Sequence, residues 1–309
     1  MEKGKGLVFG SFVVDLMGRA PHLPVPAETV KGSMFKMGPG GKGFNQCVAA
    51  YKAGTDVAFV TKVGRDSFSN VLLDTMEDLK ISKDNVLFSE DTETGIALIL
   101  VDENTSQNAI LAVAGACDTI TEEEVFGIEE LIQQAEYVLL QLEVNQEANE
   151  LVMDIAKRHG CKVIVNTAPY SPVTDAFLSK AYMVTPNEVE AEALTGVPVT
   201  DLESAKRAAA YFKERGVEIV VITMGSKGVF ISEGGREEII PAFSVEAVDT
   251  TGAGDAFNGG LLAALSEGKN VWEAAYFASG LAAISVQRLG TTPSMPWREE
   301  IDAFLEAHR

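Results

Sequence analysis

The sequence predicts an α/β protein in which helices flank a doubly wound, mostly parallel β-sheet. Short apolar runs typical of buried strands alternate with segments of helical period, and the connections between them are short. The chain has 309 residues, of which 46% are hydrophobic and 23% charged, so it can bury a large core. Neither an internal repeat nor a low-complexity tract interrupts the pattern.

Six apolar runs predict the strands of this sheet. They cover residues 7–9, 57–60, 137–141, 162–166, 183–185 and 219–223. Helix-period segments accompany the later strands, at residues 146–159, 172–180, 187–195 and 202–215. A further strand is expected at 242–248, after which the pattern becomes helical at 256–266, 271–286 and 297–307.

Two stretches break the alternation and predict a second, smaller sheet. Residues 13–37 contain three prolines followed by polar–apolar alternation, and residues 94–114 predict a hairpin with strands at 96–101 and 109–113. Neither stretch has a helix to cover it, so we expect both to lie over one edge of the main sheet as a lid or a dimer contact. The main domain would then comprise residues 1–12, 38–93 and 115–309.

Composition excludes several classes of partner. The net charge of −20 disfavours nucleic acid and anionic membranes, although solubility or halophily explains the acid excess equally well. The three cysteines are scattered and form no zinc-binding spacing with the three histidines. A polar N-terminus without a signal peptide or membrane-spanning apolar run predicts a cytoplasmic protein.

The segment Asp249-Thr250-Thr251-Gly252-Ala253-Gly254-Asp255 lies between the expected strand at 242–248 and a helix. Its small residues leave backbone N–H groups free to converge on an anion at the helix start. Asp255 places a carboxylate beside them, which suits deprotonation of an alcohol next to a phosphoryl group. The alternative is an acidic residue that only complements the helix dipole.

A second glycine-rich segment, Gly38-Pro39-Gly40-Gly41-Lys42-Gly43-Phe44-Asn45-Gln46, leads into a helix expected at 47–53. Its glycines permit close approach of the backbone to a ligand, and Lys42 and Asn45 are presented near the helix start. It is not a Walker A loop, because no Ser or Thr follows the lysine. A flexible loop is the alternative.

Two acidic residues follow strands at the edge where α/β sheets bind ligands. Asp15 comes shortly after the first strand and Glu143 follows the run 137–141. Either carboxylate can accept hydrogen bonds from a polyol. The alternatives are a turn or capping residue for Asp15 and an ordinary strand-end charge for Glu143.

Two later segments are candidates for nucleotide and metal contacts. Glu190 lies one turn into a helix that begins near Asn187, where it can reach a hydrated metal, cap the helix, or do both. After the strand ending at Thr223, Gly225-Ser226-Lys227-Gly228 either flanks a phosphate chain or ribose or is a plain hairpin turn.

In this order and spacing the segments resemble the ribokinase-like (PfkB-type) carbohydrate kinases, most closely the ribokinase branch, with deoxyribokinases also similar. The resemblance extends from Gly10 to the tail at 296–300. The two glycine motifs, some two hundred residues apart, are specific as a pair. The family has a doubly wound sheet with a small β lid and transfers the γ-phosphoryl group of ATP to a sugar hydroxyl.

The resemblance implies a role for each matching position. The 5-hydroxyl of D-ribose would be the acceptor, Asp255 the catalytic base, and Gly252, Ala253 and Gly254 the anion hole. The sugar site would comprise Val13, Asp15, Gly41, Lys42, Gly43, Asn45, Glu143 and Asp255. The ATP site would comprise Asn187, Thr223, Gly225, Ser226, Gly228, Gly254 and Ser279.

The same resemblance implies two metal ions and a homodimer. Mg²⁺ would lie near Glu190, held through water. K⁺ would activate the enzyme from a site, formed in part by backbone carbonyls, at Asp249, Thr251, Ser285, Arg288, Gly290 and Ser294. The lid would close over the sugar and pair two subunits.

Val13 departs from the ribokinase pattern, which has Asn two residues before the lid aspartate. An apolar side chain cannot pair with a hydroxyl, and burying an unpaired hydroxyl costs about 1–3 kcal/mol. Val13 therefore favours 2-deoxy-D-ribose, since deoxyribokinases carry an apolar residue there, whereas the overall similarity favours ribose. Ser279 is a smaller departure, at a position where some ribokinases place His near the adenine.

Two other classes fit less well. A non-catalytic sugar sensor on the same fold normally has a degraded base or glycine loop, and both are intact here. A dinucleotide-dependent oxidoreductase needs a glycine-rich loop that leads from the first strand into a helix, whereas Gly10-Ser11 leads into a proline-rich stretch.

Overall fold

The computed structural model describes residues 5–105 and 107–308. Residues 1–4 of the expected main domain, residue 106 of the expected lid hairpin and residue 309 lie outside it. The strands are β1 Gly6–Phe9, β2 Val13–Ala20, β3 Met34–Gly40, β4 Val57–Gly64, β5 Val86–Ser89, β6 Thr94–Asp102, β7 Asn108–Gly115, β8 Tyr137–Leu140, β9 Lys162–Val165, β10 Met183–Val184, β11 Ile219–Thr223, β12 Val229–Glu233 and β13 Arg236–Ile240.

The helices alternate with the strands of the main sheet and then follow one another at the C-terminal end. They are α1 Lys42–Lys52, α2 Ser69–Leu79, α3 Glu122–Gly127, α4 Glu129–Gln134, α5 Gln146–His159, α6 Asp175–Leu178, α7 Glu188–Thr195, α8 Leu202–Glu214, α9 Ala253–Ser266, α10 Val271–Ser285 and α11 Arg298–Ala307. Short 3₁₀ turns lie at Ala116–Thr119, Gly225–Lys227 and Thr292–Ser294.

The main sheet has nine strands in the order β13-β12-β11-β10-β9-β8-β1-β4-β5. All neighbours are parallel except β11–β12 and β12–β13, which are antiparallel. The central strands β1 and β8 are buried along their whole length, which explains their unbroken apolar sequences. The predicted doubly wound fold is confirmed.

Separate apolar clusters cover the two faces of this sheet. Along β1, Val8 faces the cluster formed with α1, α9 and α10, whereas Leu7 and Phe9 face the cluster formed with α5 and α8. Successive residues of a strand point to opposite faces, so a continuous apolar run serves both layers. The paired layers fix the strand ends that carry the candidate site.

The small sheet has the order β3-β2-β6-β7, with β2 parallel to β6 and the other pairs antiparallel. Its strand β3 continues to Gly40, three residues beyond the expected lid boundary, and only Gly41 separates it from α1. A small sheet built from these two stretches was predicted. The division of the chain into two domains remains a proposal.

The structure corrects two elements. Residues 242–248 form no strand, because no neighbouring strand is available to pair with them. Instead Phe243 packs against Tyr276 and Phe304, with ring centroids 5.2 and 5.1 Å away. The helix expected at 47–53 begins at Lys42, so the second half of the glycine motif is helical rather than a loop.

Candidate active site

Asp255 lies in the first turn of α9, at the centre of the candidate site. The helix starts after Gly252, whose φ of 77° is a left-handed conformation that favours glycine. Among the described residues no side chain caps this end, whereas α3, α7, α8 and α10 each begin with a capping box. No capping side chain therefore competes with an anion for this end of the helix, although the Ala253 amide donates to the carbonyl oxygen of Thr250 at 3.2 Å.

Two amide side chains of α1 hold the carboxylate of Asp255, which is only 6% exposed. Asn45 Nδ2 donates to one oxygen at 3.0 Å, and Gln46 Nε2 donates to the other at 3.0 Å. Thr292 Oγ1 donates to Asn45 Oδ1 at 2.9 Å, which sets the orientation of that amide. Segments more than two hundred residues apart thus meet at one carboxylate.

The glycines of the second motif allow β3, α1 and the end of β1 to approach closely. Gly41 has a φ of 87°, and a Cβ there would lie 2.9 Å from the Cα of Phe12. A Cβ on Gly43 would lie 2.6 Å from the backbone nitrogen of Ser11. Real Cβ contacts are longer than this, so both positions require glycine.

Glu143 binds the start of α1 from the neighbouring strand end. Its Oε2 accepts from the backbone nitrogen of Lys42 at 2.9 Å and from Ser11 Oγ at 2.5 Å. The Glu143 carboxylate therefore completes the N-terminus of this helix, which has no capping side chain at Gly41. The structure thus shows a structural contact at the carboxylate for which a polyol contact was predicted, and the polyol contact stays a prediction.

Asp15 lies opposite Gly38 in the small sheet, and its carboxylate fills the space that a Cβ on Gly40 would occupy. Burial, together with the negative charges of Glu143 and Asp255, raises the pKa of Asp15 from 3.8 to about 6. Val13 lies two residues earlier on the same strand, so both side chains are on one face of the lid.

Lys42 supplies the positive charge among these carboxylates. Burial acts to lower its pKa, but the negative charges of Asp255, Glu143 and Glu190 outweigh it and raise the pKa above the ordinary lysine value. The site therefore combines one ammonium group with several carboxylates. Such a grouping is typical of a functional site rather than of a core.

The candidate nucleotide residues gather at the carboxyl ends of β10 and β11. Asn187 bridges to Thr223, and its side chain caps α7 by accepting from the backbone nitrogen of Glu190 at 2.8 Å. Glu190 in turn accepts from Asn187 and, at 3.3 Å, from Thr167 Oγ1. Burial raises its pKa despite these hydrogen bonds. The capping alternative for Glu190 is therefore observed.

The Gly225–Gly228 segment connects two antiparallel strands, β11 and β12, as the hairpin alternative states. A Cβ on Gly228, where φ is 106°, would lie 2.0 Å from the carbonyl oxygen of Ile240. Ser226 is exposed on this turn. Ser279 is half-buried on α10.

The candidate potassium residues lie where two loops meet beside the start of α9. Asp249 accepts from the backbone nitrogens of Thr251 and Gly290, each at 2.9 Å, and its own nitrogen donates to the Val286 carbonyl at 3.0 Å. Hydrogen bonds outweigh the effect of burial and lower the pKa of Asp249. The Arg288 guanidinium pairs with Glu300, so only its backbone carbonyl is left for a cation.

Several polar residues of the site carried no role in the sequence analysis. Gln46, Gln141 and Asn166 form a buried chain of amides behind Asp255, and Ser11 and Thr292 contact the α1 motif. Gln46 stood within a motif that was singled out, and Gln141 ends a predicted strand. Their partners are distant in the chain, so no local pattern indicates the contacts.

A model of the pfkB family of carbohydrate kinases matches residues 4–298, and the chain belongs to this family. Ribokinase of Haemophilus influenzae is 42% identical over 97% of each chain. Deoxyribokinase of Salmonella typhi is 36% identical over 96% of this chain and 97% of its own. The structure of Arabidopsis thaliana ribokinase complexed with ribose and ATP has a TM-score of 0.91, 29% identity and 99% coverage of both chains.

Two further observations on the described residues concern membrane-spanning helices and groups of metal-binding side chains. Across 5–105 and 107–308, no helix is both long and apolar enough to cross a bilayer. In the same ranges, no group of three or more His, Cys, Asp or Glu side chains is arranged to hold a metal ion. Any metal at this site would therefore depend on water, substrate or backbone oxygens as well as carboxylates.

Proposed function

We propose that this carbohydrate kinase transfers the γ-phosphoryl group of ATP to the 5-hydroxyl of D-ribose. The observation that carries the proposal is the Asp255 carboxylate, held by two amides at the uncapped start of α9. Similarity to ribokinases over almost the whole chain supports the choice of sugar. The alternative acceptor is 2-deoxy-D-ribose, which similarity to deoxyribokinases supports.

In this proposal Asp255 accepts the proton of the sugar 5-hydroxyl as the hydroxyl oxygen attacks the γ-phosphorus, and the bond from that phosphorus to the β,γ-bridging oxygen breaks to release ADP. We assign the anion hole to the amides of Gly252, Ala253 and Gly254, which would face the charge that develops on the transferred group. The Ala253 amide would first have to release its hydrogen bond to the carbonyl oxygen of Thr250. Asp15, Lys42 and the other sugar-site candidates, Gly41, Gly43, Asn45 and Glu143, orient the acceptor. The nucleotide lies along Asn187, Thr223, Gly225, Ser226 and Gly228 and reaches Ser279.

Glu190 is compatible with a hydrated Mg²⁺. Its carboxylate is buried with a raised pKa, so a nearby dication would stabilise the ionised form. When bound with ATP, Mg²⁺ neutralises charge on the β- and γ-phosphates. Glu190 would bind it through water, because protein donors already occupy both of its oxygens.

The loops at 249–251 and 285–294 are compatible with K⁺. The carboxylate of Asp249 already ties the loops together, which leaves backbone carbonyls and hydroxyls as ligands. We assign this role to Asp249, Thr251, Ser285, Arg288, Gly290 and Ser294. The side chain of Thr291 lies next to Gly252, since a Cβ on Gly252 would be 3.1 Å from its Cγ2. Ordering these loops would therefore also order the anion hole.

The outer face of the lid supports the proposal of a homodimer. Residues paired across strands share a face, and Asp15 lies on one face while Phe35 lies on the other. Phe35 is 68% exposed. Its face also carries five other exposed large apolar side chains, at Met37, Leu98, Leu100, Leu111 and Val113. Burying such a face against a second copy would remove it from water.

A coupled ADP-release assay over pentoses, hexoses and nucleosides, with Mg²⁺ and K⁺ present, tests the proposed reaction. We expect turnover with ribose or deoxyribose. Asp255→Asn, which keeps the shape but not the base, should lower kcat by about two orders of magnitude or more while ATP still binds. The absence of turnover on every sugar would leave the sensor alternative, and near-normal activity of Asp255→Asn would remove Asp255 as the base.

A further inference from the structure

We propose that Gln46 is a positioning residue that fixes the carboxylate of Asp255 in the orientation needed to accept the hydroxyl proton. The inference rests on the proposed kinase function. Gln46 is fully buried in α1 and belongs to a chain of side-chain amides that ends at Asp255. It takes no part in the transfer itself: the proton moves from the sugar hydroxyl to Asp255 while the hydroxyl oxygen bonds to the γ-phosphorus and the bond from that phosphorus to the β,γ-bridging oxygen breaks, so that ADP leaves.

Both polar ends of the Gln46 amide are engaged. Its Nε2 donates to Asp255 Oδ1 and to Asn166 Oδ1, each at 3.0 Å, so both of its hydrogens have acceptors. Its Oε1 accepts from Gln141 Nε2 at 2.7 Å. The side chain therefore cannot rotate without losing several buried hydrogen bonds at once.

The negative charge of Asp255 determines which end of each side-chain amide in this series donates and which end accepts. Turning the Gln46 amide over would place Oε1 against the carboxylate and Nε2 against the nitrogen of Gln141. The series of amides ends at Gln141 Oε1, which has no hydrogen-bond partner among the described residues and lies 1.8 Å from where a Cβ on Gly10 would be. Gly10 therefore makes room for this amide at the end of β1.

Asn45 and Gln46 each bind a different oxygen of the Asp255 carboxylate. Asn45 holds Oδ2 and is itself a sugar-site candidate, whereas Gln46 is fully buried behind Oδ1. With one donor on each oxygen, the plane of the carboxylate is fixed while each oxygen retains acceptor capacity for the substrate. Such preorganisation lowers the barrier to proton transfer rather than strengthening substrate binding.

The charged groups around Asp255 bear on any pH readout. Asp15 faces it from the lid, Lys42 from α1 and Glu190 from α7, while Glu143 acts on the same site through Asp15 and Lys42. A neutral donor on the carboxylate favours its ionised form, so loss of Gln46 shifts the acid limb of kcat to higher pH. Measuring kcat at saturating sugar and ATP reports the bound complex rather than the free site.

The test compares Gln46→Met and Gln46→Glu with the wild-type protein. Methionine keeps the volume but removes the donor, so kcat should fall about tenfold and the acid limb should rise by about one pH unit. Glutamate places a like charge beside Asp255, and both effects should be larger. KM for sugar and for ATP should stay within about twofold, as for an interaction realised in the transition state.

Asn149→Leu is the matched control. Asn149 is also a buried amide, but its Nδ2 donates to the backbone carbonyl of Gln141 at 2.8 Å and so lies outside the side-chain chain. The Asn149→Leu variant should lower the midpoint of thermal unfolding, as Gln46→Met does, but it should not move the acid side of the profile of kcat against pH. If Gln46→Met fails to fold, Gln141→Met, which frees Gln46 Oε1, should show the same shift at smaller size.

An unchanged kcat and acid limb in the Gln46 variants, or equal shifts in Asn149→Leu, would overturn the positioning role. An inactive wild-type protein would instead overturn the kinase function. The positioning role keeps its own readout in that case, since carboxyl ¹³C titration of aspartate-labelled protein follows Asp255 without turnover. A titration curve unmoved by Gln46→Met would then refute it.

Discussion

Replacing Asp15 with Asn should stabilise the ligand-free protein, although Asp15 is a candidate for holding the sugar. Burial and two neighbouring carboxylates raise its pKa from 3.8 to about 6. The folded protein therefore binds this proton more tightly than the unfolded chain does. By linkage, the free energy of unfolding falls as pH rises between these two values, and the loss is complete above pH 6.

The size of the effect follows from the shift. A displacement of about two pH units at 1.36 kcal/mol per unit gives up to about 3 kcal/mol of lost stability at neutral pH. Asp15→Asn removes the ionisation, so its free energy of unfolding should exceed that of the wild type by up to this amount near pH 8. Below about pH 4 the wild-type carboxyl is protonated in both states, and the difference should vanish.

Urea denaturation from about pH 4 to pH 8, without ligand, measures this difference. Asp66→Asn serves as the opposite control. Burial acts to raise the pKa of Asp66, but hydrogen bonds from Thr94, Ser69 and Phe68 outweigh it and lower the pKa. Its stabilisation is present above the unfolded pKa and lost on acidification, so Asp66→Asn should destabilise at neutral pH. A pH-independent difference for Asp15→Asn would refute the reasoning.

Two further predictions concern the lid. Val13→Asn supplies a hydrogen-bonding group beside Asp15, so the ratio of kcat/KM for ribose over deoxyribose should rise about tenfold or more; a constant ratio would show that Val13 does not discriminate the sugars. Phe35→Glu places a charge on the exposed apolar face, so multi-angle light scattering should detect a monomer, whereas the wild type should have the mass of the proposed dimer. Lys36→Glu, on the opposite face of the small sheet, is the control and should leave the mass measured by light scattering unchanged.

The regular part of the fold could be predicted because period and burial agree there. The central strands are continuous apolar runs, and α5 occupies the residues that its helical period indicated. The start of α1 could not be predicted, since four glycines and a proline lie between residues 38 and 43 and glycine disfavours helix. Tertiary contacts override that preference, because Glu143 and Ser11 accept hydrogen bonds from the backbone nitrogens of Lys42 and Gly43 in its first turn.

The candidate site divides in the same way. The Asp255 motif combines residues that are adjacent in sequence, and its placement at a helix start was predicted. The contact of Gln46 with Asp255 spans 209 positions, so only the folded sheet brings the two together. Residues 242–248 have the alternation of a strand, but a strand also needs a partner, and the sequence carries no local record of one.

The passage from β3 to α1 through the single residue Gly41 limits how this protein can be rebuilt. The strand β3 of the small sheet and the helix α1, whose amides bind the Asp255 carboxylate, form one uninterrupted stretch of chain, Met34 to Lys52. If the lid were exchanged for that of another kinase at this junction, the side-chain amides of α1 that bind Asp255 would be replaced or displaced as well. An exchange of the lid therefore alters the position of the Asp255 carboxylate too, and a lid graft that aims to change sugar preference should include α1.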